Sequence, residues 1–425
     1  MIIMRLLTNL TRMWLTRSTK PFTFTNEYDE NLSYENCDKL GLYVHIPFCK
    51  SICPFCPYCK TVYEEKLCDE YIENLLTEIR MVGGRYLEKM GEKKRTTSLY
   101  FGGGTPALAV DRLKEIIDTL QEYFIITEGI GVELHPDNVT KDVLQALKNA
   151  GVTKISIGVQ SFQEKFQNVL CRKAVDIKKI ASALQETPFE TVSMDFIFAL
   201  PAQAFEDLKG DIDTAFAIGA NHIAVYPFID FTFTESHVPT MKKQEKRALL
   251  DKITLYCQEK GYVRNSIWTF SSEKQAGYSS MTRDNFLGFG CSATTLLKDQ
   301  FKINTFSAEA YGARIKAGKL PTSLTIRFTK RQRMVYYLFW TAYSTRVNGE
   351  DFEKFFGISL KKAFGFEIFI AKMLGFVKEK QKGVYEMTLK GAFYYHHYEN
   401  YYTLAYIDKM WGIMRKEAFP EQIEL

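Results

Sequence analysis

The sequence predicts an α/β protein: a partial (β/α)6, TIM-like barrel followed by a small C-terminal winged-helix-like α+β domain. Three observations carry this. Between residue 40 and about residue 230, six short runs rich in β-branched and aromatic residues alternate with helix-periodic segments, the pattern of parallel strands joined by right-handed crossovers. Six such units are fewer than the eight that close a barrel. From about residue 325 the pattern changes to helices followed by a hairpin. The domain limits that follow are an N-terminal arm over 1–38, a barrel with an extension over 39–323, and the small domain over 324–425.

The chain is rich enough in apolar residues for a large core, with 46% hydrophobic and 25% charged residues, which excludes a disordered chain. Lys and Arg number 55 against 50 Asp and Glu, a net charge of +5. Spread over this length, that is too weak to argue for a nucleic-acid partner. No apolar run reaches the about 18 residues of a membrane-spanning helix. Of nine cysteines, four fall between Cys49 and Cys59 and the rest are scattered. An odd count in a large chain does not read as a disulfide framework; it reads as a cytoplasmic protein with a local metal site.

The arm carries Arg5, Arg12, Arg17 and Lys20, with Ile3, Leu6, Leu7, Leu10 and Trp14 near helical spacing. Such a basic amphipathic helix suits a transit peptide or a membrane surface, but packing on the body is the reading preferred here. The first strand is expected over 42–46. The cysteine loop comes next, then a helix with Tyr71, Leu75 and Ile79 on one face. The second strand spans 97–101, followed by a glycine-rich turn and a helix carrying Leu113, Ile116, Ile117 and Leu120. The third strand spans 130–134, and its helix over 140–150 ends at Gly151, a residue suited to the position past a helix end. Strands four, five and six are expected over 155–159, 191–198 and 222–226, separated by helices over 177–186 and 205–218. The glycine-punctuated segment 284–293 is expected to pack back onto the core. The last domain reads as helices over 330–344, 350–356 and 360–374, then a hairpin over 375–388. The aromatic stripe from Tyr394 to Trp411 reads as the packed face of a helix.

In parallel α/β folds, ligands gather at the C-terminal strand ends, and the unusual residues cluster there. Cysteines follow strand one, and Gly102-Gly103-Gly104-Thr105-Pro106 follows strand two. Glu133 and His135 end strand three, Gln160 ends strand four, Asp195 lies in strand five, and Tyr226-Pro227 ends strand six. Cys49-x3-Cys53-x2-Cys56 is the strongest signal. Three thiolates so spaced can grip a cubane iron–sulfur cluster through three of its four irons. Spacing alone leaves zinc open, with Cys49/Cys53 and Cys56/Cys59 as two ligand pairs.

Around that loop stand Tyr43-Val44-His45-Ile46-Pro47-Phe48-Cys49 and Cys53-Pro54-Phe55-Cys56. Further on come Gly102–Pro106, Glu133, Ser156-Ile157-Gly158-Val159-Gln160-Ser161-Phe162, Arg172, Asp195 and Leu200-Pro201. This ordered set resembles the radical S-adenosylmethionine (SAM) superfamily, and more narrowly the oxygen-independent coproporphyrinogen III oxidase family with its heme-chaperone and heme-degrading relatives. The resemblance covers residues 40–300 well and the rest more loosely.

The resemblance implies a [4Fe–4S] cluster on Cys49, Cys53 and Cys56, with SAM chelating the open iron. It implies that Tyr43 and Phe55 flank the cofactor and that Gly103, Gly104 and Thr105 lie against its amino group. It also implies that Glu133, Gln160, Arg172 and Asp195 bind its polar parts. The implied partners are a tetrapyrrole, either coproporphyrinogen III or heme, and a low-potential electron donor such as flavodoxin or ferredoxin. The catalytic group itself is left unassigned. The sequence departs from the family pattern at Cys59, placed C-x2-C rather than C-x-C after the third cysteine. It departs also at Ala199, where relatives commonly have glycine, and at His135, a position often acidic or asparagine; His135 is a candidate heme ligand, though a hydrogen-bonded side chain is the preferred reading.

Three functions follow. The first is an enzyme that decarboxylates coproporphyrinogen propionates or methylates and opens heme. The second is a heme chaperone, and the third a zinc-stabilised binding module. The tetrapyrrole is expected at the open top of the barrel, with Arg327, Lys330, Arg331 and Arg333 toward its propionates.

Overall fold

The computed structural model describes residues 2–27, 32–236, 238–272 and 284–425. All six expected strands form: β1 (Leu40–Ile46), β2 (Leu99–Gly103), β3 (Ile130–Leu134), β4 (Lys154–Gln160), β5 (Thr191–Phe198) and β6 (His222–Pro227). They pair in parallel in the spatial order β6-β5-β4-β3-β2-β1. Strands buried on both faces read as near-continuous apolar runs, because neither side meets water. Five of the seven residues of β1 other than Tyr43 and His45 are Leu, Gly, Leu, Val and Ile, and most of the strand is buried.

The crossover helices cover the outer face. They are α1 (Glu65–Met90), α2 (Val110–Tyr123), α3 (Lys141–Asn149), α4 (Ile177–Glu186) and α5 (Phe205–Ala217). The stripe predicted on α1 is the buried one, with Tyr71, Leu75 and Ile79 at 3%, 0% and 0% exposure. Helix α3 starts under a Thr140 hydroxyl that accepts from the Val143 N–H. It ends as expected, with Gly151 at φ +87 just past the last turn, a left-handed position that glycine occupies without steric cost.

The sheet does not stop at six strands. β7 (Asn285–Phe289) pairs in parallel with β1, so the segment expected to pack back does so as a seventh parallel strand. Antiparallel strands β8 (Thr294–Leu296), β9 (Gln300–Asn304) and β10 (Thr322–Arg327) follow. The strand Thr23–Thr25 pairs with both β10 and Gln422–Glu424, so the two ends of the chain meet at one sheet edge.

The C-terminal helices are α6 (Lys330–Tyr343), α7 (Gly349–Phe356) and α8 (Leu360–Met373), with a three-stranded sheet of Arg346–Asn348, Val377–Gln381 and Val384–Met387. Helices with a small antiparallel sheet are the winged-helix-like arrangement expected. Their core is Met334, Tyr337, Phe352, Leu360 and Phe364.

The helix Ile2–Thr16 does lie on the body, but through an unexpected face. Thr8, Arg12 and Thr16 are buried, while Leu6, Leu10 and Trp14 are exposed; the side chains of Ile3, Arg5 and Leu7 lie outside the described residues. The Tyr406 hydroxyl donates to Asn9 at 3.0 Å, and Arg331 donates to the Leu15 carbonyl. Among the described side chains, these hydrogen bonds and Arg12 over the Phe22 ring seat this helix. Among the described residues no helix is long and apolar enough to cross a membrane.

Candidate functional site

Alternate residues of β1 to β6 face one cavity of about 1310 Å³, among them Tyr43, Tyr100, Glu133, Ser156, Asp195 and Ala224. The sheet therefore curls around a polar hollow, where a closed eight-stranded barrel would be filled by layers of apolar side chains. All twelve residues singled out by the sequence line it: Tyr43, Cys49, Cys53, Phe55, Cys56, Gly103, Gly104, Thr105, Glu133, Gln160, Arg172 and Asp195.

The cysteine loop is fixed at both ends. The Thr61 and Tyr63 N–H groups donate to the Pro47 and Cys49 carbonyls at 2.7 and 2.9 Å. Within it the Cys56 N–H donates to the Cys53 carbonyl at 3.2 Å, and Lys60 donates to the Cys56 carbonyl. The Thr105 hydroxyl lies 3.9 Å from Cys49 Sγ. Burial pushes the Cys49 thiol up to about 11, with the Thr105 contact opposing and Cys56 and Cys53 adding to the rise. Cys53 is raised first by burial too, with Arg172 opposing. Among the described residues, the loop cysteines are not brought together around a single-ion position as His45, Cys59 and Cys291 are. Three free thiols on one loop, open to one cavity and spread wider than a single ion requires, fit a cluster that gives each its own iron.

The glycines serve the chain itself. A Cβ on Gly103 would lie 2.6–2.8 Å from ring atoms of His45, and one on Gly104 would lie 2.6 Å from the Phe48 carbonyl oxygen. Their bareness lets the end of β2 press against the end of β1 and the loop. Gly104 and Thr105 donate their N–H groups to the Ile46 and Phe48 carbonyls at 2.8 and 2.7 Å.

Polar groups converge opposite the loop. Glu133 accepts from the Gly103 N–H at 3.2 Å, and burial raises its carboxyl above the usual range. Asp195 accepts from the Ser156 hydroxyl at 2.9 and 3.1 Å and from Ser193 at 3.3 Å. Burial first, and Glu133 second, push it up to about 7. Arg172 donates to the Gly158 carbonyl at 2.8 Å; burial lowers its pKa, and the loop cysteines and Asp137 oppose that. Gln160 sits at φ +71, beside the register shift between β4 and β5. Left-handed backbone costs a non-glycine residue about 1 kcal/mol or more, and here it ends the strand at the cavity rim. Ala199 is also left-handed, at φ +68, which explains why glycine suits that position.

Tyr43 is held by its hydroxyl, 3.0 Å from His45 Nδ1. Phe55 packs on the cluster of Phe166, Leu170, Ile197, Leu200 and Phe228. His135 Nδ1 accepts from the Asp137 N–H at 3.2 Å, and burial lowers its pKa to about 4. Its ring is hydrogen-bonded through Nδ1 and also lines the cavity.

Two expectations need correction. Arg331 is engaged by the Leu15 and Ala363 carbonyls and by Glu367, and it stacks 3.7 Å over the Phe364 ring. Arg333 is buried, donating to the Leu297 and Asp284 carbonyls. Both hold the C-terminal helices in place, and neither faces the cavity. Its cationic lining is Arg12, Lys50, Lys60 and Arg172. The aromatic stripe, read as packing, also forms cavity wall at Tyr394, Tyr395, Tyr398, Tyr402, Tyr406 and Trp411. Sequence reasoning missed one group altogether: His45, Cys59 and Cys291 converge beside the loop. The nearest signal was the glycine-punctuated segment that contains Cys291.

Residues 43–215 match the Radical SAM superfamily. The chain is 27% identical over 363 residues to the heme chaperone HemW of Bacillus subtilis (strain 168), covering 81% of this chain and 94% of that protein. It is 25% identical over 328 residues to the oxygen-independent coproporphyrinogen III oxidase of Bradyrhizobium diazoefficiens, covering 69% and 70%. The solved coproporphyrinogen III oxidase HemN of Escherichia coli superposes with a TM-score of 0.74 at 20% identity, over 89% of this chain and 94% of that one; that likeness establishes the fold. The cofactors of a radical SAM domain are a [4Fe–4S] cluster and S-adenosylmethionine, and the loop and the polar lining fit both. Residues 43–215 form a radical SAM domain, and the chain is similar to the oxygen-independent coproporphyrinogen III oxidases and the HemW heme chaperones.

Proposed function

We propose that the chain is a radical SAM enzyme acting on a tetrapyrrole, most like an oxygen-independent coproporphyrinogen III oxidase. The observation that carries this is the continuity of the cavity. It begins at Cys49, Cys53 and Cys56, passes the polar ends of β3 to β5, and continues between the aromatic side chains of the C-terminal helices. A cavity of this volume exceeds the roughly 300–1,000 Å³ of a single small-ligand site and has room for a cofactor and a flat macrocycle together.

When bound, the cluster and SAM supply a reductive cleavage that yields a hydrogen-abstracting 5′-deoxyadenosyl radical. The chain's own groups bind and orient. Cys49, Cys53 and Cys56 would hold three irons, and the Thr105 hydroxyl contacts the first thiol. Arg172 presents a cation suited to a carboxylate. Glu133 and Asp195 present carboxyls suited to hydroxyls or an ammonium. Asp195, raised to about 7, can accept or donate a hydrogen bond at neutral pH. Tyr43 and Phe55 form apolar flanks beside the loop. Tyr398, Tyr402 and Phe339 line the distal half, where stacking faces exclude water from a reactive intermediate. A low-potential donor of the flavodoxin or ferredoxin kind would supply the electron.

A second reading is heme carriage, supported by the wide coverage of the similarity to a heme chaperone. Anaerobic incubation with SAM, reductant and either coproporphyrinogen III or heme, followed by mass spectrometry, separates the two. Loss of two carbon dioxide units from coproporphyrinogen is the expected result. Heme bound without turnover would establish the chaperone reading instead, and methylation with ring opening would identify a heme-degrading enzyme. SAM cleavage with neither tetrapyrrole bound would remove the tetrapyrrole reading.

A further inference from the structure

A second set of ligand atoms lies beside the cysteine loop. One ring nitrogen of His45 and the Sγ atoms of Cys59 and Cys291 lie within 4.8 Å of one another. His45 comes from β1, Cys59 from the far end of the cysteine loop, and Cys291 from the turn after β7, distant in sequence. Parallel pairing sets Gly288 beside Tyr43 and Phe289 beside Val44, so the next turn of chain arrives at His45.

That turn is built with unusual polar support. Gly290 and Ser292 are left-handed, at φ +95 and +55. A Cβ on Gly290 would lie 2.4 Å from the Tyr71 hydroxyl and 2.7 Å from the His45 carbonyl oxygen. Tyr71 donates to that carbonyl at 2.8 Å and accepts from the Cys291 N–H at 2.9 Å, which ties the backbones of two members of the group to one hydroxyl. Behind it, the buried Glu78 accepts from the Gly290 N–H at 2.8 Å, from Tyr311 at 2.7 Å and from Asn304 at 3.3 Å. Burying a carboxyl is costly unless its bonds are met, and this one meets them by fixing the position of Cys291.

The histidine is prepared in the same way. Its ring is wedged against Gly103. The Tyr43 hydroxyl lies 3.0 Å from Nδ1, while Nε2 faces the Cys59 carbonyl at 2.9 Å and the Ser292 hydroxyl at 3.3 Å. Both ring nitrogens have polar neighbours, so an ion would displace the contacts of one nitrogen while the other stays held, the arrangement that orients metal-binding imidazoles. His45, Cys59 and Ser292 also line the cavity. Two thiols and one imidazole suit a borderline-soft ion, zinc above all, and three protein ligands leave a tetrahedral ion one open position.

We propose that His45, Cys59 and Cys291 form a zinc site, separate from the Cys49/Cys53/Cys56 site, whose fourth position opens on the cavity. This stands independently of the tetrapyrrole reading. The test uses cluster-loaded full-length protein given one equivalent of zinc under anaerobic conditions. Metal analysis should find about one zinc in addition to iron, and zinc X-ray absorption should show two sulfur and two lighter scatterers. Cys59→Ser should lose at least about tenfold in zinc affinity with iron content unchanged, whereas the Cys49/Cys53/Cys56→Ala variant should lose iron and keep zinc. Because Cys291 is buried, Cys291→Ser is read together with Cys59→Ser, whose fold is checked by circular dichroism. Zinc bound by three or four sulfurs and insensitive to Cys59→Ser would overturn the proposal. So would failure to bind zinc, or a Cys59–Cys291 disulfide in anaerobically purified protein.

Discussion

Asp195 concentrates the electrostatics of the cavity in one side chain. Free in solution its carboxyl titrates near pH 4; folded, it is pushed up to about 7 by burial and by Glu133. Between those values the folded chain holds a proton that the unfolded chain has released. Stability of the cofactor-free protein should therefore fall as pH rises from about 4 to 7, and Asp195 adds no further change above that. Asp195→Asn should flatten this fall by a few kcal/mol, measured by urea unfolding at pH 5 and pH 8; an unchanged difference between the two pH values would show that the carboxyl is not raised. The same logic reaches the cofactor. Arg172→Ala should weaken SAM binding by about 1–3 kcal/mol, the cost of losing a charged hydrogen-bond partner, and calorimetry under anaerobic conditions reads it directly. Equal affinity in the variant would remove Arg172 from the SAM site.

At the scale of elements, the cysteine loop depends on the strand beside it. Each of Cys49→Ala, Cys53→Ala and Cys56→Ala should abolish the about four irons and four sulfides of a cubane cluster, while Cys59→Ala should retain them. Stoichiometric zinc without sulfide at the loop would refute this. Gly104→Ala would drive a methyl into the Phe48 carbonyl and should cost about 1–3 kcal/mol as overpacking, with iron loading reduced. The elements that sequence made legible share one property: their signal is local. The six strands are short apolar runs because both faces are buried, and α3 announces its end through Gly151. β7 was less legible because Asn285-Phe-Leu-Gly-Phe289 lacks β-branched residues. Its place as the seventh parallel strand comes from pairing with β1, far away in sequence. That the twelve expected residues line one cavity was legible because resemblance carries position. The His45, Cys59 and Cys291 group was not, because it exists only through that β1–β7 register. Arg331 and Arg333 misled for a related reason: a sequence shows a basic run but not the carbonyls that claim it.

On the scale of the whole molecule, the cavity is closed by parts of the chain that are distant in sequence from the cysteine loop and pack against it. The helix Asp408–Met414 brings Met410 and Trp411 to the wall, with Trp411 6.1 Å from Tyr58 and 5.9 Å from Phe306 between ring centroids. Arg415 reaches the Pro57 carbonyl of the cysteine loop and lies over the Phe233 and Phe306 rings. This helix is anchored by Asp408, which accepts from both the N–H and the hydroxyl of Thr232 at 2.7 Å, although Asp408 itself does not line the cavity. If the distal half holds the macrocycle, loosening this anchor should weaken tetrapyrrole binding more than it weakens cluster loading. Asp408→Ala removes two charge-assisted bonds and leaves two donors unmatched, about 1–3 kcal/mol in all. Part of that falls on the seated position of the helix, so heme or coproporphyrinogen affinity should drop by roughly tenfold. Iron content and SAM cleavage should fall less than tetrapyrrole affinity, because the helix meets the cysteine loop through Trp411 and Arg415 at Tyr58 and Pro57, beyond Cys56. Anaerobic titration followed by absorbance, run beside the uncoupled SAM-cleavage assay, distinguishes the outcomes. A parallel loss of SAM cleavage would mean that the anchor supports the whole site, and unchanged tetrapyrrole affinity would move the macrocycle away from the C-terminal wall.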